Sequence, residues 1–101
     1  MATTTSKALA RAAAATTTTT LYTVPASTTA VVTNIVVTNT ASTAATFTLT
    51  LDGKDIFTTT AIAANSTAMF DLKQVLATTK IIAGFASATT VNFHISGVEI
   101  A

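Results

Sequence analysis

The chain has 101 residues, a net charge of +1, 9% charged side chains and no cysteine, and Thr and Ala supply nearly half of it. That length holds one domain, and the missing cysteine excludes disulfides, thiolate nucleophiles and cysteine metal sites. The near-zero charge leaves no electrostatic footprint for nucleic acid or an anionic membrane, and it weakens repulsion between copies, which suits a subunit packed against neighbours.

In chain order, the composition breaks once, near Thr16. Residues 1–15, "MATTTSKALARAAAA", carry Lys7 and Arg11 but no acid. They lack the apolar run of a secretory signal, although their acid-free, Arg-bearing make-up also fits a transit peptide. Ala, Leu, Lys and Arg favour helix, and Ser6 can cap it, yet so short a helix is marginal in water without a surface to lie on. This stretch therefore reads as an N-terminal arm over 1–15, followed by one β domain over 16–101.

From Thr16 onward, alternation of period two takes over. "LYTV" before Pro25 is a first strand, and "TAVVTNIVVTN" from Thr29 is a second. Counted strictly by twos, Val31, Ile35 and Val37 share one face of that second strand and Val32 and Val36 share the other, so both faces are partly apolar. Such a strand is central, or its outer face meets another subunit. Val32 and Val36 are accordingly the expected inter-subunit contacts.

"TFTLTL" puts Phe47, Leu49 and Leu51 on one face and three threonines on the other, as a half-buried strand requires. Asp52-Gly53 then predicts a tight hairpin turn into "DIFTTTAI". "TAMFDL" from Thr67, "KIIAGFA" from Lys80 and "VNFHISGVEI" from Val91 complete the strands, while "DLKQVLATT" is the one stretch that could hold a helical turn. Short turn clusters at even intervals predict an all-β fold, an antiparallel β-sandwich of about eight strands, jelly-roll-like. In the last strand Val91, Phe93 and Ile95 share a parity that Val98 and Ile100 break, and a bulge at Gly97 would return all five to the core.

The chemistry-bearing residues are few. His94 is the only histidine, and its polar sheet-face neighbours Asn92 and Ser96 place it on an outward face. With no second His and no Cys, no metal site is expected. Asp52 and Asp55 bracket a solvated turn rather than a cleft that would split their pKa values. Asp71 reads as a cap beside Lys73, and Glu99 has no visible partner. Hydroxyls abound, but a nucleophilic Ser or Thr needs a base, and no GxSxG elbow or Gly-rich phosphate loop occurs. No stretch approaches a membrane span, and no basic-aromatic interleaving suggests nucleic-acid binding. The expectation is a protein that is not an enzyme, with no catalytic residue, cofactor or metal. The threonines vary too much in spacing for an ice-matching lattice and read as strand formers that keep outer faces wet.

The run "TLYTVPASTTAVVTNIVVTNTASTAATFTLTLDG", continued by "AIAANSTAMFDLKQVL" and closed by "VNFHISGVEI", resembles small virion proteins of tailed bacteriophages over about residues 20–101. Tyr22, Pro25, Val31, Val32, Ile35 and Val36 match the opening of that pattern, and Gly97, Val98, Glu99 and Ile100 match its close. The resemblance implies a capsid decoration or cement protein on the virion surface, made in the bacterial cytoplasm, that clamps neighbouring copies of the major capsid protein. It implies a homo-oligomer, a trimer in the common case. It also implies an arm laid across a neighbour, for which Lys7, Leu9 and Arg11 are the expected contacts. A tail, baseplate or fibre subunit, host-binding in some cases, is the alternative that the same resemblance leaves open.

Overall fold

The computed structural model describes residues 3–101; Met1 and Ala2 of the expected arm lie outside the described residues. Eight strands follow one another: β1 (Thr4–Ala13), β2 (Thr19–Thr23), β3 (Thr29–Asn39), β4 (Ala45–Leu51), β5 (Lys54–Ile62), β6 (Ser66–Leu76), β7 (Ile81–Ala86) and β8 (Val91–Ile100). They form two four-stranded sheets, ordered β1-β8-β3-β6 and β2-β7-β4-β5, with every pairing antiparallel.

Within the sheets β1 pairs with β8, β2 with β7, β3 with β6 and β4 with β5. The chain is thus one long hairpin, folded at its midpoint and wrapped across two sheets, which is the jelly-roll topology. Its midpoint is the turn read from Asp52-Gly53, where both residues take positive φ, 55° and 73°. That twist matches the right-handed twist of the strands it joins.

The core lies between the sheets. Phe47, Leu49 and Leu51 point inward from β4 as their alternation requires, facing Val32, Ile35 and Val37 of β3 and Val91, Phe93 and Ile95 of β8. Phe47 ties the layers together, with ring centroids 6.1 Å from Phe93, 6.3 Å from Phe70 and 5.6 Å from Phe57. Tilted and edge-on packing of this kind adds to simple area burial. Asn39 is the one buried amide among the described residues. Its Nδ2 donates to the carbonyls of Thr43 and Ala63, and its Oδ1 accepts from the Ala41 N–H and the Thr90 hydroxyl. One side chain thereby joins three loops at one end of the sandwich.

Four expectations are corrected. Residues 4–13 are neither helix nor free arm: they form the edge strand β1, bonded along β8 from Thr4↔Ile100 to Ala13↔Asn92. Helix propensity differs by only tenths of a kcal/mol per residue, and a continuous ladder plus the burial of Leu9 outweighs it. The sandwich accordingly begins at β1 rather than at Thr16.

The bulge expected in β8 at Gly97 lies instead in its neighbours. Leu9 is the extra residue between Ala8↔Ser96 and Ala10↔Ile95, and Thr33 is the extra residue between Val32↔Gly97 and Asn34↔Ser96. β8 therefore keeps its parity, so Gly97 and Glu99 face inward while Val98 and Ile100 face out. The same bulge reassigns β3. Val32 has no exposed surface and joins Ile35 and Val37 in the core, while Val31 and Val36 face outward. Strict alternation fails here because one inserted residue reverses the parity of everything before it. The fourth correction is "DLKQVLATT": β6 runs straight through to Leu76 with a bulge at Leu72–Lys73, and the turn comes only at Thr78–Thr79.

Candidate functional site

The three residues expected on an arm are separated by the ladder. Lys7 turns toward the end of the sandwich, where its Nζ lies 3.3 Å from both Glu99 carboxylate oxygens. Leu9 is buried in the core, 7% exposed, because its bulge aims it inward beside Gly97. Arg11 is exposed opposite His94 on the outer face of the first sheet.

Glu99 has the partner that the sequence did not reveal. Tyr22, from the second sheet, donates its hydroxyl to Glu99 Oε2, so Tyr22, Glu99 and Lys7 link β2, β8 and β1. The Tyr22 hydrogen bond, and after it Lys7, holds the Glu99 carboxyl below the usual glutamate range. Burial, reinforced by the adjacent carboxylate, pushes the Tyr22 phenol up, so it remains a donor at neutral pH. These groups form a structural clasp between the sheets. The signal that could have found it is Glu99 itself, an acid at an inward parity once β8 is read without a bulge.

The remaining acids are dispersed. Asp52 sits at the hairpin tip, 3.7 Å from Lys80 Nζ, and Asp55 accepts from the Thr58 hydroxyl at 2.9 Å. Asp71 caps nothing; it accepts from Asn34 Nδ2 at 3.2 Å across β3 and β6. Among the described residues no three His, Cys, Asp or Glu side chains converge as metal ligands would.

What the fold does assemble is a surface. On the outer face of the first sheet the register aligns Ser6, Val98, Val31 and Val75 in one row across four strands. The next outward row is Ala8, Ser96, Asn34 and Asp71, and the one after it Arg11, His94, Val36 and Met69. Val75 and Met69 are 70% and 74% exposed, the large apolar side chains most open to solvent in the described chain. Arg11, Asn34, Val36, Thr38, His94 and Ser96 border a shallow depression in this face. Of the two expected inter-subunit contacts, Val36 lies here and Val32 is buried beneath it. The outer face of the second sheet is plainer, with Thr46, Thr48 and Thr50 running along β4.

No protein-family model and no curated protein sequence matches the chain. A structural likeness exists to a chain in a structure of infectious bursal disease virus, Gx strain, at 12% identity and a TM-score of 0.50. It covers 98% of this chain and 31% of that one, so this protein spans about a third of its neighbour's length. At that identity the likeness is one of fold alone.

Proposed function

We propose that this protein is a structural subunit of a virus particle, of the phage capsid decoration type. It binds the outside of the head in several copies and clamps neighbouring major capsid proteins. It is made in the bacterial cytoplasm and needs no cofactor, metal or catalytic residue. The observation that carries this reading is a jelly-roll sandwich whose ionisable side chains are scattered or tied into a structural clasp, while one broad sheet face carries exposed Val and Met. Such a molecule offers surfaces rather than a reaction centre. The fold likeness to part of a chain from a virus structure agrees with it. Because β1 is built into the sandwich, the clamp works through sheet faces rather than through a free arm.

The test is to add purified chain to phage heads that lack it and to count bound copies by quantitative gel and electron microscopy. Hundreds of copies on the head lattice support the proposal. A handful at one vertex or on the tail would move the protein to the tail, baseplate or fibre class, and no binding would overturn the coat reading.

A further inference from the structure

The outer face of the sheet β1-β8-β3-β6 carries Arg11 at one edge and, at the other, Asp71 with the exposed Lys73 two residues further along β6. Arg11 stands on β1 and Asp71 on β6, two residues apart along the strand direction by the β8 register, His94 against Ser96. The ion pairs among the described residues are Lys7–Glu99 and Lys80–Asp52, so neither Arg11 nor Asp71 has a charged partner in its own chain. The same face carries Val31, Val36 and Val98, half-buried on the two central strands, and Met69 and Val75, exposed on β6 on either side of Asp71.

We propose that this face is a self-association surface on which a second copy of the chain packs about a two-fold axis running along the strands, between β8 and β3. That operation places β1 of one copy over β6 of the other, row upon row. Arg11 then covers Met69 with its apolar stem and reaches the partner's Asp71, about 7 Å further along the strand on a sheet stacked about 10 Å away. Symmetry makes this pair twice. The same axis lays Val98 on the partner's Val31, Ser6 on its Val75 and His94 on its Val36, so the apolar row is covered by apolar or small groups. A two-fold across the strands, centred on the Asp71 row, would instead set Asp71 on its own copy, so charge selects the lengthwise axis.

Four strands and about 30 Å of their length give roughly 600 Å² per copy. Specific interfaces average about 800 Å² per partner, so this dimer forms in a concentration-dependent way rather than as an obligate unit. The inference gives the self-contact in the coat-subunit reading a location and rests on that reading only for its setting. Dimerisation in solution and binding to heads are separate measurements, and either can fail while the other holds.

The experiment is sedimentation velocity on the wild type, Arg11→Asp, Asp71→Arg and the double variant across a concentration series. Wild type sediments as a dimer that dissociates on dilution and in high salt. Each single reversal sets like charges together twice and raises Kd by at least about tenfold, while the double variant restores both pairs and returns Kd to within about threefold of wild type. Both positions are exposed, and far-UV circular dichroism confirms the fold of each variant. A wild-type monomer at millimolar concentration, a trimer, or a double variant no tighter than the singles would overturn the proposal.

Discussion

Gly97→Ala probes the point where three strands are most tightly fitted. Gly97 faces inward on β8 between two bulges, Leu9 on β1 and Thr33 on β3. The β3 bulge swings the Val31 carbonyl over Gly97, and the β1 bulge seats Leu9 beside it. A Cβ there would sit on the Val31 carbonyl oxygen, 3.1 Å from its carbon and 2.9 Å from Leu9 Cδ1. Leu9 can swing aside, but the Val31 carbonyl belongs to a central strand bonded on both sides, so the backbone itself must move. Overpacking typically costs 1–3 kcal/mol, and with a backbone atom as the obstacle the expected loss is about 3 kcal/mol. For a domain of about 100 residues that lowers Tm by about 15 °C. Urea and thermal melts followed by circular dichroism read it directly. Leu9→Ala alone should cost about 2–3 kcal/mol through its cavity, and Leu9→Ala/Gly97→Ala should not be rescued, because the carbonyl contact survives. If Gly97→Ala lies within about 0.5 kcal/mol of wild type, or the double variant is rescued, then the flanking bulges are not where the register puts them.

Glu99→Gln should change how stability depends on acid. Because the folded carboxyl is held below its ordinary range by Tyr22 and Lys7, the advantage of wild type over Glu99→Gln should be complete above about pH 5 and vanish as pH falls through the depressed folded value. Urea melts at stepped pH measure it, and a difference that stays constant into strong acid would mean that the clasp carries no charge-dependent stability. Asn39→Ala strips four hydrogen bonds from three loops and should cost about 3 kcal/mol, since the groups left behind are partly enclosed. A loss under about 0.5 kcal/mol would mean that water replaces the amide fully. Hydrogen exchange should localise the loosening to residues 40–44, 63–65 and 87–90.

The architecture was legible where each segment's local signal agreed with its place in the fold. "TFTLTL" and Asp52-Gly53 specify a strand, its inward face and a turn with positive φ without reference to anything distant, and the structure has all three. β1 was not legible, because its pattern of Ala, Lys, Leu and Arg favours helix and only a partner some 90 positions away makes it a strand: Thr4 pairs with Ile100. The Val32/Val36 pairing failed for a related reason. A bulge adds one residue at a position set by the partner strands, and neither Thr33 nor Leu9 carries a local mark of it. Glu99 shows the same dependence, since its clasp forms from three strands that meet only after the hairpin wraps. His94 could be placed outward from its neighbours alone.

Where the sheets end matters as much as what their faces carry. An exposed strand edge invites pairing with another chain, and each edge here is interrupted. β2 is five residues long, β5 is broken by two register shifts with Thr59 at φ 43°, β6 is bulged at Leu72–Lys73, and β1 is bulged at Leu9 and carries Lys7 and Arg11. These interruptions oppose association by extending a sheet, the route by which a chain with 9% charged residues would otherwise aggregate. The outer face of the first sheet is charged only at its margins, by Arg11 on one edge and by Asp71 and Lys73 on the other, and its rows leave Val75 and Met69 open. Under the proposed self-association, a chain that guards its edges and leaves Val75 and Met69 open on one face would associate through that face, with Arg11 and Asp71 at its margins setting the geometry.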